Sequence, residues 1–82
     1  MQVTLLFFAG ARDATGHATL AAELPDTVTN VGELLVLLGR EFPALLPHLV
    51  SVRIARNEEF VNATAPISAG DVLAVIPPVA GG

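Results

Sequence analysis

Few side chains in this chain could do chemistry. Glu58 and Glu59 are adjacent acids, but neighbours in a turn point apart and stay solvated, so they do not read as a general acid–base pair. His17 and His48 stand alone, with no acid or second histidine at ligand spacing, which predicts no metal site. Arg12 and Asp13 read as a surface or fold-stabilising pair. No glycine pattern of a phosphate-binding loop is present. With no cysteine at all, disulfides, thiolate ligands, cysteine nucleophiles and a side-chain persulfide are excluded. Lysine is also absent, the basic residues being Arg12, Arg40, Arg53 and Arg56. What remains is the carboxylate of Gly82. A carboxylate is a poor electrophile at neutral pH. Activated by ATP as an acyl-adenylate, it would become open to attack by sulfur or by an amine. Glycine at both 81 and 82 leaves that approach unhindered.

The stretch that carries Gly82 is Pro77-Pro78-Val79-Ala80-Gly81-Gly82. Two prolines lack backbone donors and hold φ near −65°, so they end sheet pairing and launch the chain in extended form. At roughly 3.3 Å per residue, six residues span about 20 Å. The expectation is a domain over 1–76 and an extended, flexible tail over 77–82. An ordinary frayed terminus is the competing reading.

Composition narrows the rest. A hydrophobic share of 52% against 15% charged residues excludes disorder, which needs the reverse balance. A net charge of −4 argues against nucleic acid or an anionic membrane as partner. No apolar run reaches the length of a spanning helix, and no basic region precedes the first apolar stretch, so the expected location is the cytoplasm.

The elements that must position the tail follow from spacing. Residues 2–8 read as a first strand, apolar without alternation and therefore expected to be covered on both faces. Residues 9–15 predict a helical turn stopped by Gly16. Residues 17–24 predict a second strand, antiparallel to the first. Asn30 and Glu33 predict the reciprocal cap of one long helix over 30–42, with Val31, Leu34, Leu35, Leu38 and Phe42 on its buried stripe. A loop follows over 44–49. A third strand is expected over 49–57, with Val50, Val52 and Ile54 alternating against Ser51, Arg53 and Ala55. A hairpin turn around Asn57, Glu58 and Glu59 leads into a strand at Phe60-Val61. Gly70-Asp71 then turn into a last strand ending at Ile76. The expected fold is α+β: a β-grasp, ubiquitin-like mixed sheet of four or five strands with one main helix across one face.

One helix covers one face of such a sheet. The other face leaves large apolar side chains in water, which marks a protein partner. Phe8, Phe60 and Ile76 are the expected members of that patch, unless the loops at 43–49 and 62–70 fold over it.

Phe7-Phe8-Ala9, Arg12-Asp13, Gly16, Asn57-x-Glu59-Phe60-Val61, Gly70-Asp71-Val72 and the ending Ile76-Pro77-Pro78-Val79-Ala80-Gly81-Gly82 resemble, in order and over the whole chain, the small sulfur-carrier subunits of molybdopterin synthase, the MoaD/ThiS-like family. The resemblance implies that a ubiquitin-activating-like adenylyltransferase consumes ATP to adenylate Gly82. A sulfur donor protein then converts it to a thiocarboxylate. No cofactor is held permanently, and catalytic side chains belong to the large synthase subunit. Two loaded carriers, in a heterotetramer, supply sulfur to cyclic pyranopterin monophosphate. Pro78, Val79, Ala80 and Gly81 thread into the partner, while Phe8, Phe60 and Ile76 dock against it. Carriers for thiazole formation, cysteine synthesis or tRNA thiolation, a ubiquitin-like modifier, and an interaction module with an inert tail remain as alternatives.

Overall fold

In β1 (Gln2–Phe7), alternation decides which side chains reach the core, despite the uniformly apolar sequence. Val3, Leu5 and Phe7 are buried, while Thr4 and Leu6 on the opposite face stay partly exposed. The expectation that both faces of this strand are covered is therefore wrong. An apolar residue is free to remain at a surface, so its presence did not prove a second covering layer. The computed structural model describes residues 1–78.

After β1 comes α1 (Ala9–Thr15), which Gly16 stops in the left-handed region at φ 76°, donating its N–H to the Arg12 carbonyl at 2.8 Å. The next strand, β2 (Thr19–Glu23), pairs antiparallel with β1, Leu5 opposite Leu20. The long helix α2 (Val31–Glu41) starts at Asn30, whose Oδ1 accepts from the Glu33 N–H at 2.8 Å. Glu33 answers one residue further back than expected. Its Oε1 accepts from Thr29 Oγ1 at 2.6 Å and from the Thr29 N–H at 3.0 Å. These bonds, the hydroxyl first, hold the Glu33 carboxyl below the ordinary glutamate range.

Residues expected as a loop after α2 are instead helical: a 3₁₀ turn at Pro43–Leu45 and the short α3 (Leu46–Leu49). Pro43 and Pro47 sit in the first turns of these segments, where a missing N–H costs nothing. Leu45 is fully buried beneath them. A Cβ on Gly39 would lie 2.7 Å from Leu46 Cδ2 and 3.0 Å from Leu49 Cδ1, so α2 and α3 meet closely there. This packing also shortens the third strand to β3 (Arg53–Arg56) and leaves Val50 94% exposed, off the sheet altogether. The alternation holds from Val52, with Ile54 in the core and Ala55 on the other face, but does not extend back to Val50.

The hairpin to β4 (Glu59–Val61) turns on Asn57 and Glu58, both at positive φ (50° and 73°). The last strand, β5 (Val72–Ile76), is parallel to β1 and antiparallel to β3. The sheet order is β2-β1-β5-β3-β4. On one side, Val3, Leu5, Phe7, Ile54, Leu73 and Val75 form a single core with Val31, Leu34 and Leu38 of α2. Parallel pairing of β1 and β5 has a geometric result. The chain leaves β5 at the same end of the sheet where Phe8 leaves β1.

Candidate functional site

The second face of the sheet is open. Among the described residues, neither 43–49 nor 62–70 covers its centre: Leu45 packs into the α2 core, and Ile67 joins that same core. What is left is a groove of about 520 Å³ lined by apolar side chains from three strands. Leu6 comes from β1, Ala55 from β3, and Val72, Ala74 and Ile76 from β5. Phe8 and Phe60 close it from the sides, and Asn57 and Glu58 close one end. All three residues expected in a docking patch, Phe8, Phe60 and Ile76, thus line one groove. Phe8 is 46% and Phe60 57% exposed, unusual for side chains of that size.

Local backbone constraints hold each of these in place. Phe8 donates its N–H to the Val75 carbonyl at 3.2 Å, while its own carbonyl accepts from the Ala11 and Arg12 N–H groups at the start of α1. Its ring is thereby turned outward. Phe60 stands opposite Ala55 in the β3–β4 ladder, and Arg53 lays its guanidinium carbon 4.2 Å from the Phe60 ring centre. Asn57 anchors the closed end. Its Oδ1 accepts from the Val72 N–H at 2.9 Å, its Nδ2 donates to Asp71 Oδ1 at 3.0 Å, and its backbone N–H donates to the Val72 carbonyl at 2.8 Å. Asp71 Oδ2 also accepts from the Ser68 N–H at 2.8 Å. The separate sequence motifs at 57–61 and 70–72 are two halves of one joint.

The other candidates are not brought together. Glu58 and Glu59 are both exposed and fall in different parts of the hairpin, the turn and β4. His17 lies edge-on to Phe42 with ring centres 6.1 Å apart, and His48 abuts Gly10. Arg12 and Asp13 are exposed on α1 and form no ion pair among the described residues. No group of three metal-ligating side chains occurs among the described residues. No described helix is long and apolar enough to cross a membrane.

Pro77 is buried directly after β5 and Pro78 is exposed. Val79, Ala80, Gly81 and Gly82, expected to form the reactive tip, lie outside the described residues. Sequence reasoning missed Leu6, Ala55, Val72 and Ala74 as groove residues. The period of two, counted back from Phe8 and from Ile76, would have found Leu6, Ala74 and Val72. Ala55 was already set on the face away from Ile54 by the alternation, but joining it to Phe60 needed the β3–β4 register.

Known proteins share both the chain and the fold. A molybdopterin synthase sulfur carrier subunit of Aedes aegypti is 41% identical, covering 100% of this chain and 90% of its own length. Subunit 1 or 2 in a protein–protein complex of the molybdopterin-converting factor of Helicobacter pylori superposes with a TM-score of 0.71 at 28% identity, covering 100% of both chains. Small archaeal modifier protein 1 of Haloferax volcanii superposes with a TM-score of 0.78 at 26% identity, covering 95% of this chain and 98% of that one. Sequence model, relatives and β-grasp architecture agree: with residues 5–82 matched by the family model, the chain belongs to the ThiS family.

Proposed function

We propose that this chain is the sulfur-carrier subunit of a molybdopterin synthase, docking through the open face of its sheet and presenting sulfur on Gly82. The observation that supports this most directly is the groove itself. It lies on the face that α2 leaves bare, and the chain departs from β5 at its rim, beside Ile76. A partner seated on the groove is therefore placed where the last residues can enter it. Docking supplies affinity and the short tether supplies reach, so the reacting atom arrives at high effective concentration.

The chemistry belongs to the terminal carboxylate. An adenylyltransferase of the ubiquitin-activating kind joins it to AMP from ATP, releasing pyrophosphate. A sulfur nucleophile at the sulfide level then attacks the carbonyl carbon. The bond to the phosphate oxygen breaks, and AMP leaves with one of the original carboxylate oxygens. The product is a thiocarboxylate, whose sulfur passes to cyclic pyranopterin monophosphate in the large subunit. This chain adds no catalytic side chain to that reaction. Pro78, Val79, Ala80 and Gly81 are the residues that thread toward the acceptor, and the assembly is a heterotetramer with two large subunits.

A second reading, a ubiquitin-like modifier, is favoured by the similarity to the archaeal modifier protein. The fate of Gly82 separates the two. Co-expressed with its activating enzyme and a sulfur source, the protein should gain the mass of one oxygen replaced by sulfur, mapped to Gly82. Isopeptides of Gly82 on other proteins, without that shift, would select the modifier reading. Deletion of Gly82 should abolish sulfur transfer and leave the melting temperature unchanged. Equal transfer by the truncated protein would sink the carrier role.

A further inference from the structure

The groove has an apolar floor, with Glu58 in its lining and Arg53 just outside it, stacked on the Phe60 that forms its β4 side. At the end where β5 runs out, Arg53 stands in register with Ile76. Its guanidinium is seated on Phe60, 4.2 Å from the ring centre. At the other end, Glu58 lines the groove from the hairpin turn that Asn57 ties to Val72 and Asp71. At the ordinary strand rise, the backbone positions of Arg53 and the turn lie roughly 13 Å apart along the sheet. Arg53 is exposed and has no ion-pair partner among the described residues. The aromatic ring holds the cation at the rim while its donors remain free to bind. In a chain of eight acidic and four basic residues, this places an arginine beside the route to the C-terminus.

We infer that Arg53 is a specificity-determining contact of the docking face, engaging a carboxylate of the partner protein next to the point where the chain leaves β5. The inference rests on the docking role proposed above and adds a polarity to it. An apolar floor attracts without direction, so by itself it allows a partner to lie along the groove either way. Arg53 beside the Phe60 wall and Glu58 at the turn are opposite charges at separate places on the rim, and they remove that freedom. In one orientation the partner's acid meets Arg53 and its base meets Glu58. In the reverse orientation like charges face each other, which is penalised. The planar guanidinium also matches a carboxylate with two parallel hydrogen bonds, fixing the angle of approach. The occupant is thus a protein surface with apolar side chains for the floor, an acidic rim opposite Arg53 and a basic one opposite Glu58. Correct polarity points the terminal residues toward the acceptor site instead of away from it.

The test measures binding of the full-length carrier to the purified large subunit of its own molybdopterin synthase, at low and at high salt. R53E should weaken binding at low salt by about tenfold or more, with most of the loss in the association rate. R53M, which keeps the aliphatic stem on Phe60, should also weaken binding and should flatten its salt dependence. R53K should bind better than R53M. All three should melt as the unaltered protein does, since the side chain is exposed. R53E binding like the unaltered protein, while Phe8→Ala binds weakly, would overturn the role of Arg53 and leave the docking face standing. If neither variant weakened binding, the docking reading would fall with it. R53M binding like the unaltered protein would assign the position to packing and overturn the inference. A dimer of the carrier alone, dissociated by R53E, would overturn it by giving the groove to a second copy.

Discussion

Phe7 and Phe8 are adjacent in the chain and alike in chemistry, yet they belong to opposite faces of the sheet. Phe7 is 2% exposed and meets Phe42 edge-on at 6.1 Å, under the helix layer. Phe8 is 46% exposed and borders the open groove. The same contrast runs along β5, where Leu73 and Val75 are buried while Val72, Ala74 and Ile76 line the groove. Both faces are apolar, and they differ in what covers them. On the α2 side apolar area is removed from water within the chain and stabilises the fold. On the other side the same kind of area is available to a partner, so its burial would contribute to association.

Paired substitutions can break this contrast. Phe7→Ala is expected to cost about 3–5 kcal/mol of folding stability, from lost transfer energy and the cavity left behind. That is a large fraction of what holds a domain this size together. Chemical denaturation would measure it, and a loss below about 1 kcal/mol would contradict the placement of Phe7 in the core. Phe8→Ala should reverse the ledger. Docking to the large subunit should weaken by about 2 kcal/mol, roughly 30-fold, as for an interface anchor. Folding stability should change by under about 1 kcal/mol, because the Phe8 backbone bonds survive the substitution. Equal effects of the two substitutions on folding would mean that the faces do not differ as described.

The smallest effect sits on the covered side, at the start of α2. The Glu33 carboxyl is held below its ordinary range by Thr29, so the folded state favours its ionised form. Its contribution is therefore complete above the unfolded glutamate value, about 4.3, and disappears as pH falls through the lowered folded value. Glu33→Gln should remove this acid-side dependence of stability without altering docking. Melting curves between neutral and acidic pH would show it, and an unchanged pH profile in the variant would remove Thr29–Glu33 as its source.

Much of this arrangement was legible in the residues. Gly16 marked the end of α1, Asn30 and Glu33 marked the start of α2, and the stripe from Val31 to Phe42 marked its buried side. These signals are local, since caps and period depend on residues within one or two turns. The helical character of 43–49 was not legible, because two prolines read as breakers when they in fact occupy first-turn positions. Nor was the start of β3. Val50, Val52 and Ile54 alternate as a strand would, but Val50 lies outside the sheet beside α3. Only the pairing of Arg53 with Ile76 identifies where the strand begins.

What the sequence by itself determined was the chemical repertoire: no cysteine, no lysine, no cluster of catalytic spacing, and a Gly-Gly sequence at 81–82. It also determined that one helix would have to serve a sheet with two apolar faces. Which apolar residues went to which face, and that Phe8, Phe60 and Ile76 line one groove, was decided by tertiary structure. The parallel pairing of β1 with β5 brings Phe8 level with the end of β5, and the antiparallel β3–β4 hairpin carries Phe60 across to them. Such placements join residues from 16 to 68 positions apart through strand register, and register is a property of paired backbones that no local window of the chain contains.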